Sequence, residues 1–284
     1  MLPYKLFTVY VFFKTLLCGC AVDKNKADFM VRPSGYKIEL VGKMAKKEVF
    51  ESSGLALAQD SNFWTHADGG NQPVLYKINQ AGKLLTTWPI PHATNLDWED
   101  LAQDEKGNIY IGDFGNNQND RRNLRIFRIN SQRPNQVDTI AFTFADQNEF
   151  PPQKSNRHFD CEAFFYAEGN LYLFSKNRGT DKIVKLYKIP ARPGLYVAPV
   201  HDSLRINNMI TAADISPDGK TMALLGYGNI YLFRVNRGAD FFSGNKYCLR
   251  IGKTGQAEAL VFINNTDFIF SNEGGKIFKA TKRR

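Results

Sequence analysis

The chain has 284 residues, 43% of them apolar and 23% charged, which is enough to bury a large core and too apolar for a disordered segment. Its formal charge of +9 is spread along the chain apart from the terminal Lys279, Lys282, Arg283 and Arg284. A scattered excess of this kind reads as solvation, and no nucleic-acid surface is expected.

The first nineteen residues, MLPYKLFTVYVFFKTLLCG, carry Lys5 and then an apolar run from Leu6 to Phe13, as a secretory signal does. Leu17-Cys18-Gly19-Cys20 resembles the lipobox of bacterial lipoproteins, in which cleavage after Gly19 leaves Cys20 to receive the lipid. An ordinary signal peptide is the alternative. An uncleaved span is disfavoured, because the run is far shorter than the ~20 apolar residues that cross a bilayer. Export to a bacterial cell envelope is expected, with a lipid anchor at the outer membrane or the periplasmic face. Residues 20–34 read as a polar tether carrying Asp23, Lys24 and Lys26, and residues 35–284 as one domain. Without residues 1–19 the charge falls to +7, because Lys5 and Lys14 leave and no acid does.

The domain repeats itself. SSGLALAQDSNFWTH (52–66), WEDLAQDEKGNIYIGD (98–113), CEAFFYAEGNLYLFSK (161–176), AADISPDGKTMALLGY (212–227) and AEALVFINNTDFIFSN (257–272) each read strand, polar turn, strand. The 22 phenylalanines and 12 tyrosines suit such strands. Aligning Leu55, Leu101, Phe164, Ile215 and Leu260 superimposes the five. A third strand with alternating polarity follows each copy, at 74–79, 124–130, 184–190, 229–235 and 276–280. LLTTWPI, DTIAFTF, DSLRI and KYCLRI supply a fourth strand to the first four units. The fifth ends without one, and YKIELVGKM (36–44) precedes the first unit unattached. The pattern predicts an all-β, five-bladed β-propeller of four-stranded blades, its ring closed by that N-terminal strand. A sixth blade within the Pro- and Asn-rich stretch 132–157 is the structural alternative.

The first strand of each propeller blade lines the channel. Glu99 and Asp100, Glu162, Asp214 and Glu258 are therefore expected at one level of the axis, with Glu51 near it. Asp104, Asp218 and Asp267 lie in hairpin turns and read as backbone caps. Lys176 and Arg178 are candidate catalytic cations, with a structural pairing to Glu162 preferred. His66 is either a general base at the rim or a hydrogen-bonded strand-end residue, with the latter ahead. Asn116 and Asn117 fit a left-handed turn, and Trp98 a packing role between blades. Cys161 and Cys248 would remain as thiols and could pair. No CxxC and no metal-ligand spacing involves the four histidines.

The segments ESSGL, NLDWEDLA, GDFGNN, CEA, SKNRG, AEAL and SNE resemble bacterial β-propeller lipoproteins related to the SdiA-regulated and phytase-like esterase group. That resemblance implies a propeller over residues 36–284. It also implies calcium, with Glu51, Asp97, Glu99, Asp100, Glu162, Asp214, Glu258 and Glu273 at the acidic motif positions. Two functions compete. One is a monomeric rim that binds an unidentified ligand or envelope partner, an anionic one among the options, around an acidic axis; the other is a calcium-dependent hydrolase of phosphate or other esters. A sugar-lactone or quinone-dependent enzyme is a third class, which no residue pattern marks.

Overall fold

Each repeat folds as an antiparallel meander, because its strands alternate apolar and polar residues and are joined by turns too short for a crossover. The computed structural model describes residues 2–17, 19–31, 35–45, 47–49, 51–236, 238 and 240–283; Cys18, the last three tether residues and Arg284 lie outside these. The chain opens with α1 (Leu2–Leu17), α2 (Ala21–Ala27), β1 (Met30–Val31) and β2 (Tyr36–Lys43). Blade one is β3 (Ser52–Leu57), β4 (Phe63–Ala67), β5 (Val74–Ile78) and β6 (Leu84–Pro89), and blade two is β7 (Trp98–Gln103), β8 (Asn108–Asp113), β9 (Leu124–Asn130) and β10 (Val137–Phe144). Blade three is β11 (Cys161–Ala167), β12 (Asn170–Ser175), β13 (Ile183–Pro190) and, after the inserted β14 (Gly194–Ala198), β15 (Val200–Arg205). Blade four is β16 (Ile210–Ile215), β17 (Thr221–Gly226), β18 (Asn229–Arg234) and β19 (Lys246–Arg250). In blade five, β20 (Ala257–Phe262), β21 (Phe268–Asn272) and β22 (Lys276–Lys282) are completed by β2, which runs antiparallel to β22 from Tyr36↔Lys282 to Lys43↔Lys276. The ring closes as the sequence predicts, with five blades. The stretch 132–157 adds, beyond β10, only a short 3-10 turn at Lys154–Asn156, so it holds no sixth blade among the described residues.

The core is divided by the same symmetry. Five buried clusters each straddle one blade junction. Leu75 and Ile90 meet Leu101 and Phe127 between blades one and two, and Ile126 and Phe142 meet Phe164 and Tyr187 between two and three. Phe174 and Leu186 meet Met222 and Phe233, Leu225 and Ile230 meet Leu260 and Phe270, and Val261 and Ile277 meet Leu55 and Phe63. No blade has a private core, so each is stable only between its neighbours. Trp98 is fully buried in the junction of blades one and two, the packing role expected for it. Two hairpin aspartates cap their turns as expected: Asp104 accepts the amides of Lys106 and Asn108 and Asp218 that of Lys220; Asp267 instead accepts the amide of Lys282 at the end of β22.

Several expectations are corrected. Residues 20–31 are not a free tether. β1 pairs in parallel with the outer strand β19, Phe29 is buried against Tyr231 and Phe233, and buried Asp23 accepts the Tyr231 hydroxyl at 3.1 Å and the Asn207 amide at 2.7 Å. Cys20 is joined to Cys248 by a disulfide. A sulfur so engaged carries no lipid, and Cys161 is left as a buried free thiol. The sequence missed this pairing because it assigned Cys20 to the lipid before counting partners. β14 was also missed; it adds in parallel to β10 of the neighbouring blade. Asn116 and Asn117 have no positive φ, and Asn119, at φ 57°, takes the left-handed turn. Among the described residues no helix is long and apolar enough to cross a membrane.

Candidate metal centre at the channel mouth

Inner strands start, and second strands end, at the same end of the ring, because the two are antiparallel. In every blade that pairing shifts register near its start: between Ser53 and Ala56, Trp98 and Leu101, Cys161 and Ala163, Ile210 and Ala212, and Ala257 and Ala259. A bulge at this place leaves one residue out of the ladder and re-aims its side chain. In blades two, three and five that residue is Glu99 (with Asp100 also unpaired), Glu162 or Glu258, and all three glutamates line a cavity of about 460 Å³ at the channel mouth. In blade four it is Thr211. The sequence alignment had placed Ile215 two residues out of step there, because Ala213 is the residue paired as Leu101 and Phe164 are. Asp214 therefore lies deeper and does not join the glutamates. Blades one and four use their hydroxyls to bind neighbouring blades: Ser53 donates to the Glu99 carbonyl at 2.6 Å and Thr211 to the Ala257 carbonyl at 2.7 Å.

The acids at the mouth fall into two sets. Asp68, Asp97 and Glu99 form the first, with carboxylate oxygens all within 4.8 Å of one another. Two glycines make this approach possible. A Cβ at Gly115 would lie 2.1 Å from Glu99 Oε1 and 2.4 Å from Asp97 Oδ2, and one at Gly69 would lie 2.3 Å from Asp97 Oδ1. Burial and mutual repulsion oppose the charged forms. Asp97 is pushed up to about 6 by burial and by Asp160 and Asp68; Glu99 is raised well above the usual carboxylate range by burial and Glu162; Asp68 is raised by burial. Three clustered, desolvated carboxylates offering only hard oxygens are a donor set for a divalent cation.

The second set is already engaged, Glu162 by cations and the other two by neutral donors. Glu162 is ion-paired with Lys176 at 2.7 Å and with Arg178 at 3.4 Å, and Arg178 also holds Asp160 and Asn117. Glu258 accepts the Tyr227 hydroxyl at 2.8 Å and Glu273 the Gln256 amide at 2.6 Å. The preferred structural pairing of Lys176 and Arg178 with Glu162 is what the structure contains.

The remaining sequence candidates lie elsewhere. Asp100 is fully buried and accepts the backbone amides of Leu101, Phe164 and Ala213, so it ties three blades together instead of facing an ion. Asp214 accepts the Phe262 amide at 2.7 Å. Glu51 stands beside the centre: its carbonyl accepts the Asp68 amide at 2.9 Å. His66 is fully buried, with Nδ1 2.9 Å from the Ala67 carbonyl and Nε2 unpartnered. It does not line the mouth, so it cannot serve there as a general base. Asp68 was missed, although the loop that follows each second strand opens on this rim and could have pointed to it.

Two expected outcomes follow from these contacts. The buried Asp113 carboxylate accepts the Asp97 amide at 3.0 Å and is held by Arg125 at 2.8 Å and Arg121 at 3.3 Å. It positions Asp97 without reaching the cavity. If the three carboxylates hold a divalent cation, Asp113→Asn is expected to weaken its binding about 10-fold or more, read by calorimetry, while circular dichroism stays native; unchanged affinity would refute the positioning role. Burial pushes His66 down to about 4 from 6.5. Between those values the unfolded chain binds a proton that the folded one refuses, so this residue makes stability rise with pH across that window, by at most about 3 kcal/mol. Asp97 and Asp214 push the other way, the latter raised to about 7 by burial. The urea midpoint of His66→Leu, compared with the parent between pH 4 and 6.5, isolates the histidine's share: the slope should be less positive in the variant.

No protein-family model and no curated protein sequence matches the chain. Solved structures similar in fold include the PQQ-bound aldose sugar dehydrogenase of Streptomyces coelicolor, at a TM-score of 0.52 and 10% identity over 89% of this chain and 100% of that one. A protein assigned as a gluconolactonase has a TM-score of 0.50 and 9% identity over 88% and 93% of the two chains. At such identities the likeness establishes the fold, a β-propeller, and nothing of the chemistry.

Proposed function

We propose that this chain is an exported propeller whose channel mouth binds calcium through Asp68, Asp97 and Glu99 and, against it, a small oxygen-bearing ligand. The observation that carries this reading is the convergence of one buried and two half-buried carboxylates, with no ion pair of their own among the described residues, on a cavity of ligand size. When bound, the ion supplies Lewis-acid polarisation of a ligand oxygen. The chain's own groups do the rest. Gly69 and Gly115 keep the carboxylates close, Asp113 orients Asp97, and the Lys176–Glu162 and Tyr227–Glu258 pairs present a polar wall of fixed donors. Export is supported by the Cys20–Cys248 disulfide, since such bonds persist in oxidising compartments.

Calcium-dependent ester hydrolysis is the second reading, favoured by Glu258, whose carboxyl is raised well above its usual range by burial within the same cavity. A carboxyl shifted in that direction keeps its proton to higher pH, as a general acid to a leaving group must. The phosphate-ester form is less well supported, because Lys176 and Arg178 are already engaged by Glu162 and Asp160. Calorimetry of the full chain with calcium and magnesium tests the centre itself. Turnover of aryl esters, glucono-lactone and phosphomonoesters, with calcium and with chelator, then separates the readings. Absence of calcium binding would remove both; binding without turnover of any of these substrates leaves the ligand-binding function.

A further inference from the structure

We propose that the opposite end of the channel is a second ligand site, an apolar cavity that takes a small primary ammonium ion with a short alkyl body, with Asp214 as the counter-charge. The inner strands end there around a cavity of about 490 Å³, within the range that small-molecule sites occupy. Its walls include Leu55, Leu101, Val261 and Phe241. Asp214 stands among them at a register where the other blades carry Ala56, Ala102, Phe165 and Val261. A single carboxylate in an otherwise apolar ring is the polar anchor such a cavity needs to orient a ligand.

The charge at this end has one sign. Glu105, Glu168 and Asp218 stand exposed on the rim, and no lysine, arginine or histidine lines the cavity among the described residues. Asp214 accepts the Phe262 amide, which ties blade four to blade five, yet it forms no ion pair among the described residues. Burial raises its carboxyl to about 7, the cost of a desolvated charge that an ammonium group would offset. The two mouths thus differ: cationic side chains share the first with its acids, while the second presents anionic, apolar and a few neutral polar groups, with no cationic side chain among the described residues. An alkylammonium ion places its charge on Asp214 and its methylenes on the leucines, whereas a carboxylate of equal length meets only repulsion.

Calorimetric titration of the full chain with n-hexylammonium chloride, in chelator so that the first mouth is silent, tests the site. Binding should strengthen from butyl- to hexylammonium and be absent for hexanoate. Asp214→Asn, which keeps an acceptor for the Phe262 amide, should weaken it by about 10-fold or more. The exposed pair Glu105→Lys and Glu168→Lys should weaken it without touching the fold, which keeps the test decisive if Asp214→Asn does not fold. N-acetyl-lysine amide in place of hexylammonium separates a peptide side chain from a free amine as the source of the ammonium group. No binding of any of these amines, equal binding of hexanoate, or an affinity indifferent to both sets of substitutions would overturn the assignment. Because calcium is absent throughout, failure here leaves the first mouth untouched.

Discussion

Glu99→Gln is expected to raise the stability of chelator-treated protein and, in the same variant, to remove the stabilisation that the proposed calcium site predicts for the parent. The two effects share one cause. Without an ion, burial and Glu162 hold Glu99 well above its usual range, so its charged form costs folding free energy at neutral pH. The sign follows from proton binding. A carboxyl raised in the folded state contributes stability at low pH, and that stability is lost as pH rises from 4.5 through the folded value. The neutral amide escapes the loss, so the variant should melt at a higher temperature than the parent in chelator. With calcium at a hundred times its dissociation constant, the parent should gain about 2.7 kcal/mol, or roughly 5–8 °C in Tm. The variant, short of one ligand, should gain little. Thermal scans with calcium and with chelator measure both; a variant that still responds to calcium as the parent does would place the ion elsewhere.

Lys176→Met carries the second large effect, of opposite sign. Lys176 and Glu162 are both nearly fully buried and meet at 2.7 Å, and Lys176 also faces the ring of Tyr227. Removing the ammonium leaves Glu162 with Arg178 alone at 3.4 Å, close to Glu99 and Asp160. Breaking a buried pair on one side costs about 3–5 kcal/mol, to be read from the urea midpoint. Adding Glu162→Gln should return most of that loss, since a buried pair replaced on both sides leaves no orphaned charge. A double variant as unstable as the single one would show that Lys176 acts through packing instead.

The blades and the closure of the ring were legible because each rests on local pattern. Alternation marks the strands, the repeat marks the blades, and a fifth unit lacking an outer strand matches an unattached strand at 36–44. The placing of glutamates at the axis was legible for blades two, three and five for the same reason. It failed in blade four, where AADISP aligns as readily on Ile215 as on Ala213, and only the pairing of β16 with β17 shows that Thr211 occupies the glutamate position.

The chain's sequence alone therefore determined the propeller, its five blades and the three glutamates of blades two, three and five at the mouth, since periodicity and composition are properties of short segments. The tertiary structure decided which acids remain without a counter-charge. Asp97 and Glu99 lie within three residues of Asp100 in sequence, yet the first two join Asp68 across a blade junction while the third is consumed by three backbone amides. It likewise joined Cys20 to Cys248 across a separation of 228 residues. Charge balance and covalent pairing depend on neighbours brought together by ring closure, and nothing in a linear pattern records those distances.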